Sequence, residues 1–128
     1  MSGIGIGISP IFLTKPDLYK VKVLSYSPIA YWPLDEESGP NADNAEGTAA
    51  RDGTYTGATL ADDNSGSFGT AAPRFDGTDD VVNIYSASLN SVFDPTDAFT
   101  IAFWIKSADS FATSSDRAFN LGADGSNN

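Results

Sequence analysis

Apolar positions along this chain come in short runs, separated by clusters of Gly, Pro, Asp, Asn and Ser. Short runs bounded by turn-forming residues are the pattern of strands, since a helix needs a longer periodic stretch. The strongest run is Phe99-Thr100-Ile101-Ala102-Phe103-Trp104-Ile105-Lys106, whose near-continuous hydrophobicity predicts a strand buried on both faces or central in a sandwich. Ile29-Ala30-Tyr31-Trp32-Pro33-Leu34 predicts a first strand, placed at an edge or a bulge by Pro33. Asp52-Gly53 opens a short strand through Thr54, Tyr55 and Thr56, which Gly57 closes. Residues 72–75 predict another strand, which Asp76-Gly77 turns into a strand over residues 81–85. A helical turn is expected around residues 87–92, a loop over residues 62–69, and a weaker last strand over residues 117–121. Phe75, Val82, Ile101 and Phe103 suit an inward-facing core, and Trp32 and Trp104 read as core fillers.

The first residues follow a different rule. In Gly3-Ile4-Gly5-Ile6-Gly7-Ile8 the period of two puts Ile4, Ile6 and Ile8 on one face and leaves the other bare. Such a strip cannot bury itself. It predicts an extended arm over residues 1–16 that adds to a neighbouring subunit, the alternative being a loose Gly-rich terminus. It is not a nucleotide loop, because no strand precedes it and no helix follows to aim amides at a phosphate. Residues 17–27 form a short helix or linker. Asp17 is placed as a cap, Pro28 lies beyond the end, and Leu18, Val21 and Leu24 share a face. A strand competes there, because Val21 and Val23 alternate with Lys20 and Lys22. The β-rich domain then occupies residues 28–128.

Composition narrows the chemistry. The 128 residues suit one domain with a terminal arm, and 41% hydrophobic content supports a core. There is no Cys and no His, which removes disulfides, thiolate nucleophiles, Cys/His zinc sites and His-based triads. Seventeen acidic residues against seven basic ones set the net charge at -10, a surface that repels nucleic acid and anionic lipid. The opening residues lack a basic segment and no apolar run approaches membrane-spanning length, so synthesis in a cytoplasm without a secretion signal is expected.

Four segments in order carry a family resemblance over residues 19–121. The first is Ser27-Pro28-Ile29-Ala30-Tyr31-Trp32-Pro33-Leu34-Asp35-Glu36-Glu37-Ser38-Gly39. The second and third are Asp52-Gly53-Thr54-Tyr55-Thr56-Gly57 and Arg74-Phe75-Asp76-Gly77-Thr78-Asp79-Asp80-Val81-Val82, and the fourth is the run from Phe99 to Lys106. Together they resemble the laminin G-like, concanavalin A-type lectin/glucanase domain in its microbial and phage form. The resemblance implies an all-β fold, an antiparallel β-sandwich of jelly-roll type. Fewer strands are predicted than that family has, so the sandwich is expected to be incomplete, representing its N-terminal part.

Three carboxylate clusters bear on chemistry: Asp35, Glu36 and Glu37; Asp62 and Asp63; and Asp76, Asp79 and Asp80. Glycoside hydrolysis needs paired carboxylates across a concave face, whereas these lie in turns, so no enzyme activity is expected. No cofactor is required. Calcium is the candidate cation, with Asp76, Asp79 and Asp80 offering hard oxygens within five residues, against the alternative of solvated turn caps. For a glycan, an exposed aromatic is the expected platform, and Tyr55 and Tyr85 are the candidates. The expected function is a structural or adhesive component of a phage particle, such as a decoration, tail or fibre protein, located in the virion and forming homo-oligomers. Its partners would be other virion or surface subunits, with a glycan next, and neither nucleic acid nor membrane. The alternative is a carbohydrate-binding module of a larger bacterial surface protein or enzyme.

Overall fold

The computed structural model describes residues 13–63, 71–93, 96, 98–107 and 118–120, the side chains of residues 62 and 63 excepted. Residues 1–12 of the predicted arm, with Ile4, Ile6 and Ile8, lie outside them, while Lys15 and Pro16 at its end are helical rather than extended. The chain divides into two units, Met1–Ala98 and Phe99–Asn128. The described part is β-rich, with short strands in antiparallel sheets and few helices.

Helix α1 spans Lys15–Leu24, in agreement with the helical alternative for this segment. Its cap is Thr14 rather than Asp17. The Thr14 N–H and hydroxyl donate to Asp17 Oδ2 at 2.9 and 2.6 Å, and the Asp17 N–H donates back to Thr14 Oγ1 at 3.4 Å. This reciprocal box satisfies donors that a first turn leaves open, so the helix starts two residues earlier than Asp17. The Thr14 hydroxyl, then its N–H, hold the Asp17 carboxyl below its ordinary range. The expected face of Leu18, Val21 and Leu24 is not the inner one, because Leu18 and Val21 are more than half exposed. Pro16, Tyr19, Val23 and Leu24 are the partly covered positions instead.

One sheet joins β1 (Asn41–Ala42), β2 (Gly53–Thr56) and β5 (Val81–Asn83), with β2 in the middle. Both pairings are antiparallel, matching Ala42 with Gly53 and Tyr55 with Val82. Along β2 burial alternates, with Gly53 and Tyr55 inward and Thr54 and Thr56 outward, as a pleat with one covered face requires. The second sheet pairs β3 (Thr59–Asp63) with β4 (Ala72–Arg74), antiparallel and irregular between Thr59 and Asp63. Ala61 lies in that irregular stretch at φ 55, consistent with an extra residue accommodated by a bulge. Gly39 marks where the sheets approach: a Cβ there would meet Leu60 of β3 at 2.9 Å and Tyr55 of β2 at 3.8 Å.

Three expectations change. The segments β4 and β5 do not form a hairpin about Asp76-Gly77, since β4 pairs with β3 and β5 with β2. The connection passes from one sheet to the other. Residues 29–34 form no strand; Pro33 lacks an N–H, Leu34 sits at φ 56, and the segment is fastened by side chains instead. Residues 99–106 form no strand either, and Phe99, Ile101, Phe103, Trp104 and Ile105 are 42 to 74% exposed. Hydrophobicity supplies a strand's motive for burial, but a ladder also needs a neighbouring strand in register, and the run belongs to neither of the two sheets among the described residues. Ile101, Phe103 and Trp104 are therefore not core positions in this structure, and Phe75 at 45% exposure is not one either. Within the second unit, the rings of Phe103 and Phe119 stack at 6.4 Å.

Helix α2, Ala87–Asn90, is the expected helical turn, capped by Ser86 Oγ, which accepts from the Leu89 N–H at 3.0 Å. No helix among the described residues is long and apolar enough to cross a membrane.

Candidate functional site

The connection between β4 and β5 gathers the only acidic cluster the described residues offer for a cation, Asp76, Asp79 and Asp80. One carboxylate oxygen from each lies within 4.8 Å of the others, with Asp76 and Asp79 exposed and Asp80 half-buried. The turn itself brings them together. Asp76 Oδ1 accepts the Thr78 N–H at 2.8 Å, and Asp80 Oδ2 accepts the Asp76 N–H at 2.6 Å. An Asp that bonds backbone two residues on is a turn-former by its own chemistry. Two of the carboxylate oxygens are thus occupied as turn caps, and Asp79 adds an exposed carboxylate beside them. A hard cation such as calcium takes six to eight oxygens, so the remaining carboxylate oxygens would need turn carbonyls or water to complete a shell. Asp80 is also pressed against the end of β2, where a Cβ on Gly57, at φ +76, would collide with its carboxylate.

The two tyrosines fare differently. Tyr55 is only 7% exposed, which corrects the expectation that it presents an aromatic platform. Its hydroxyl donates to Glu36 Oε2 at 2.6 Å, and Glu36 Oε1 accepts the Asp43 N–H at 2.7 Å. Glu36 therefore ties the loop after residue 34 to both β1 and β2. Burial, then the hydrogen bond and charge of Glu36, push the Tyr55 phenol far above the ordinary tyrosine range. Beside this pair lies an open depression of about 270 Å³, lined by Glu36, Ser38, Gly39, Pro40, Asn41 and Asp43. Tyr85, by contrast, is 73% exposed just past β5, with its N–H donating to Asn83 Oδ1 at 3.0 Å.

Sequence reasoning missed the residue that organises this unit. Asn44 is 6% exposed, and its Oδ1 accepts the Tyr31 N–H at 2.9 Å while its amide donates to the Thr48 carbonyl at 3.1 Å. Its own N–H donates to Asp52 Oδ1 at 2.9 Å. Arg51 completes the tie. Its Nη1 donates to the Ile29 carbonyl at 2.6 Å and lies 3.6 Å from Glu46, and its carbonyl accepts the Trp32 indole N–H at 2.9 Å. Hydrogen bonds from Thr48 and Asn44, more than the Arg51 charge, hold the Glu46 carboxyl below its ordinary range. The one available signal was an Asn three residues before Gly47 in a polar loop, which announces a turn but not its burial.

Comparisons with protein families, with curated proteins and with solved structures found no match for this chain.

Proposed function

We propose that this chain is a non-enzymatic assembly and adhesion component of a virus particle, of the decoration, tail or fibre kind. In this reading the antiparallel strands belong to a jelly roll of concanavalin A type that faces outward. The segment with Ile4, Ile6 and Ile8 engages neighbouring subunits in the virion. The observation that carries the reading is the apolar run at residues 99–105, whose large side chains stand 42 to 74% exposed. Fully burying a side chain of this size is favourable by about 1.5–3 kcal/mol, so several together strongly favour being covered. Strands contributed in an assembly would supply that cover. The site chemistry agrees with a non-catalytic role, since both oxygens of Glu36 and the hydroxyl of Tyr55 are committed to holding loops.

Deleting the first ten residues tests the reading through the oligomeric state measured by sedimentation. A drop in oligomer size with the fold retained supports assembly through the arm. An unchanged state removes the arm from the proposal. The exposure of Tyr85 keeps a carbohydrate-binding module as the second reading. It is favoured if the deleted chain keeps affinity on a glycan array and Tyr85→Ala abolishes it.

A further inference from the structure

We infer that the Asp76–Gly77 peptide bond is a site of spontaneous backbone isomerisation that the fold leaves open, while the same dipeptide at Asp52–Gly53 is protected. Asp-Gly pairs are chemically labile because glycine offers no side chain to shield the following amide nitrogen. In the reaction the Gly77 nitrogen attacks Asp76 Cγ, a C–N bond forms, and water leaves as a succinimide closes. Water then returns to one of the two ring carbonyls. Opening at the side-chain carbonyl restores aspartate. Opening at the main-chain carbonyl routes the backbone through Cγ and leaves isoaspartate. No oxidant or partner enters, and no net mass is gained.

The two sites differ in exposure and in the surroundings of the glycine. Asp76 and Gly77 are both exposed, and apart from the adjacent residues no atom of the described residues stands within 4 Å of where a Gly77 Cβ would lie. Among the described residues the Gly77 N–H has no hydrogen-bond acceptor. The Thr78 N–H donates to Asp76 Oδ1 at 2.8 Å, closing a hydrogen-bonded ring that spans the Gly77 peptide. Asp52 carries the same kind of restraint as Asp76, a backbone N–H on Oδ1 and an acceptor for its own N–H, so the difference lies at the glycines. Gly53 is buried in the middle strand of its sheet, its Cβ position 3.1 Å from the Asn83 carbonyl and 3.1 Å from Ile84. Cyclisation there requires local opening of the ladder, whereas the turn at Asp76 needs none. The product lengthens the chain by one backbone carbon and moves the carboxylate, so it dismantles the turn that gathers Asp76, Asp79 and Asp80.

The test is a time course of the whole chain at neutral pH and body temperature, native and in urea, read by peptide mapping with isoaspartyl methyltransferase. Isoaspartate at position 76 of the native chain should outpace position 52 by about tenfold or more, with the difference collapsing in urea. Asp76→Glu, whose longer side chain disfavours the five-membered ring, should silence that peptide. Equal native rates at the two positions, or a native position 76 as inert as position 52, would overturn the inference. The third pair, Asp124-Gly125, lies outside the described residues and is read on its own peptide.

Discussion

The Tyr55 hydroxyl donates to Glu36 Oε2 across 2.6 Å, with the tyrosine buried in the middle strand and the glutamate half-buried in the preceding loop. Removing the hydroxyl leaves the carboxylate without one of its two donors. Tyr55→Phe is expected to cost about 1.5–3 kcal/mol in urea unfolding, the range for a hydrogen bond to a charged group. A cost near zero would mean that water replaces the hydroxyl without loss.

The same pair sets an alkaline limit. The folded phenol is held above its ordinary range by burial first and by Glu36 second. Its contribution to stability is therefore whole below the unfolded value of about 10 and drains away as pH rises toward the folded one. Tyr31, also raised chiefly by burial, acts in the same direction. Unfolding midpoints should fall above about pH 10, and less steeply in Tyr55→Phe. Identical slopes in the two proteins would assign the effect to other groups.

Asn44 is the polar centre of the first unit, so its removal strands several partners at once. Asn44→Ala deprives the Tyr31 N–H and the Thr48 carbonyl of their partners and is expected to cost about 2–3 kcal/mol. Asn44→Asp keeps the acceptor for Tyr31 but loses the donor to Thr48 and adds charge near Glu46 and Asp52. It should therefore be destabilised at neutral pH and recover partly in mild acid. A tolerant Asn44→Ala would show that the loop is held elsewhere.

Gly57 and Gly77 separate backbone strain from collision. Both have positive φ, at +76 and +83, so alanine pays about 1–2 kcal/mol of conformational cost at either. At Gly77 the added methyl meets open space, whereas at Gly57 it drives into Asp80. Gly57→Ala should be the more destabilising in thermal melts, and equal losses would place Asp80 away from β2 in solution.

Calcium is tested at Asp79, whose carboxylate caps no backbone N–H among the described residues. A ligand at a hundredfold excess over its Kd adds about 2.7 kcal/mol to the folded state. Calcium should raise the melting temperature of the parent chain and leave Asp79→Asn unmoved. If both proteins respond alike, the bound ion lies at another place.

Particular elements show how far local chemistry reaches. The strand Gly53–Thr56 was legible because Asp52-Gly53 and Gly57 bracket it and its residues alternate. The turn at Asp76 was legible as a cluster of carboxylates, and the structure does bring their oxygens together. The roles of Glu36 and Asn44 were not legible, since a Glu or Asn in a polar loop looks the same whether it is solvated or buried.

The sequence by itself determined a few short-range features: the bracket around Gly53–Thr56, the turn at Asp76 and the lack of thiol or imidazole chemistry. Each depends on side chains a few residues apart, or on composition alone. Tertiary structure decided that β2 pairs with β5 and not β4 with β5, and that Tyr55 is buried while Trp104 is exposed. Those outcomes depend on backbone hydrogen bonds, which are alike at every residue, and on which distant segment arrives to accept them.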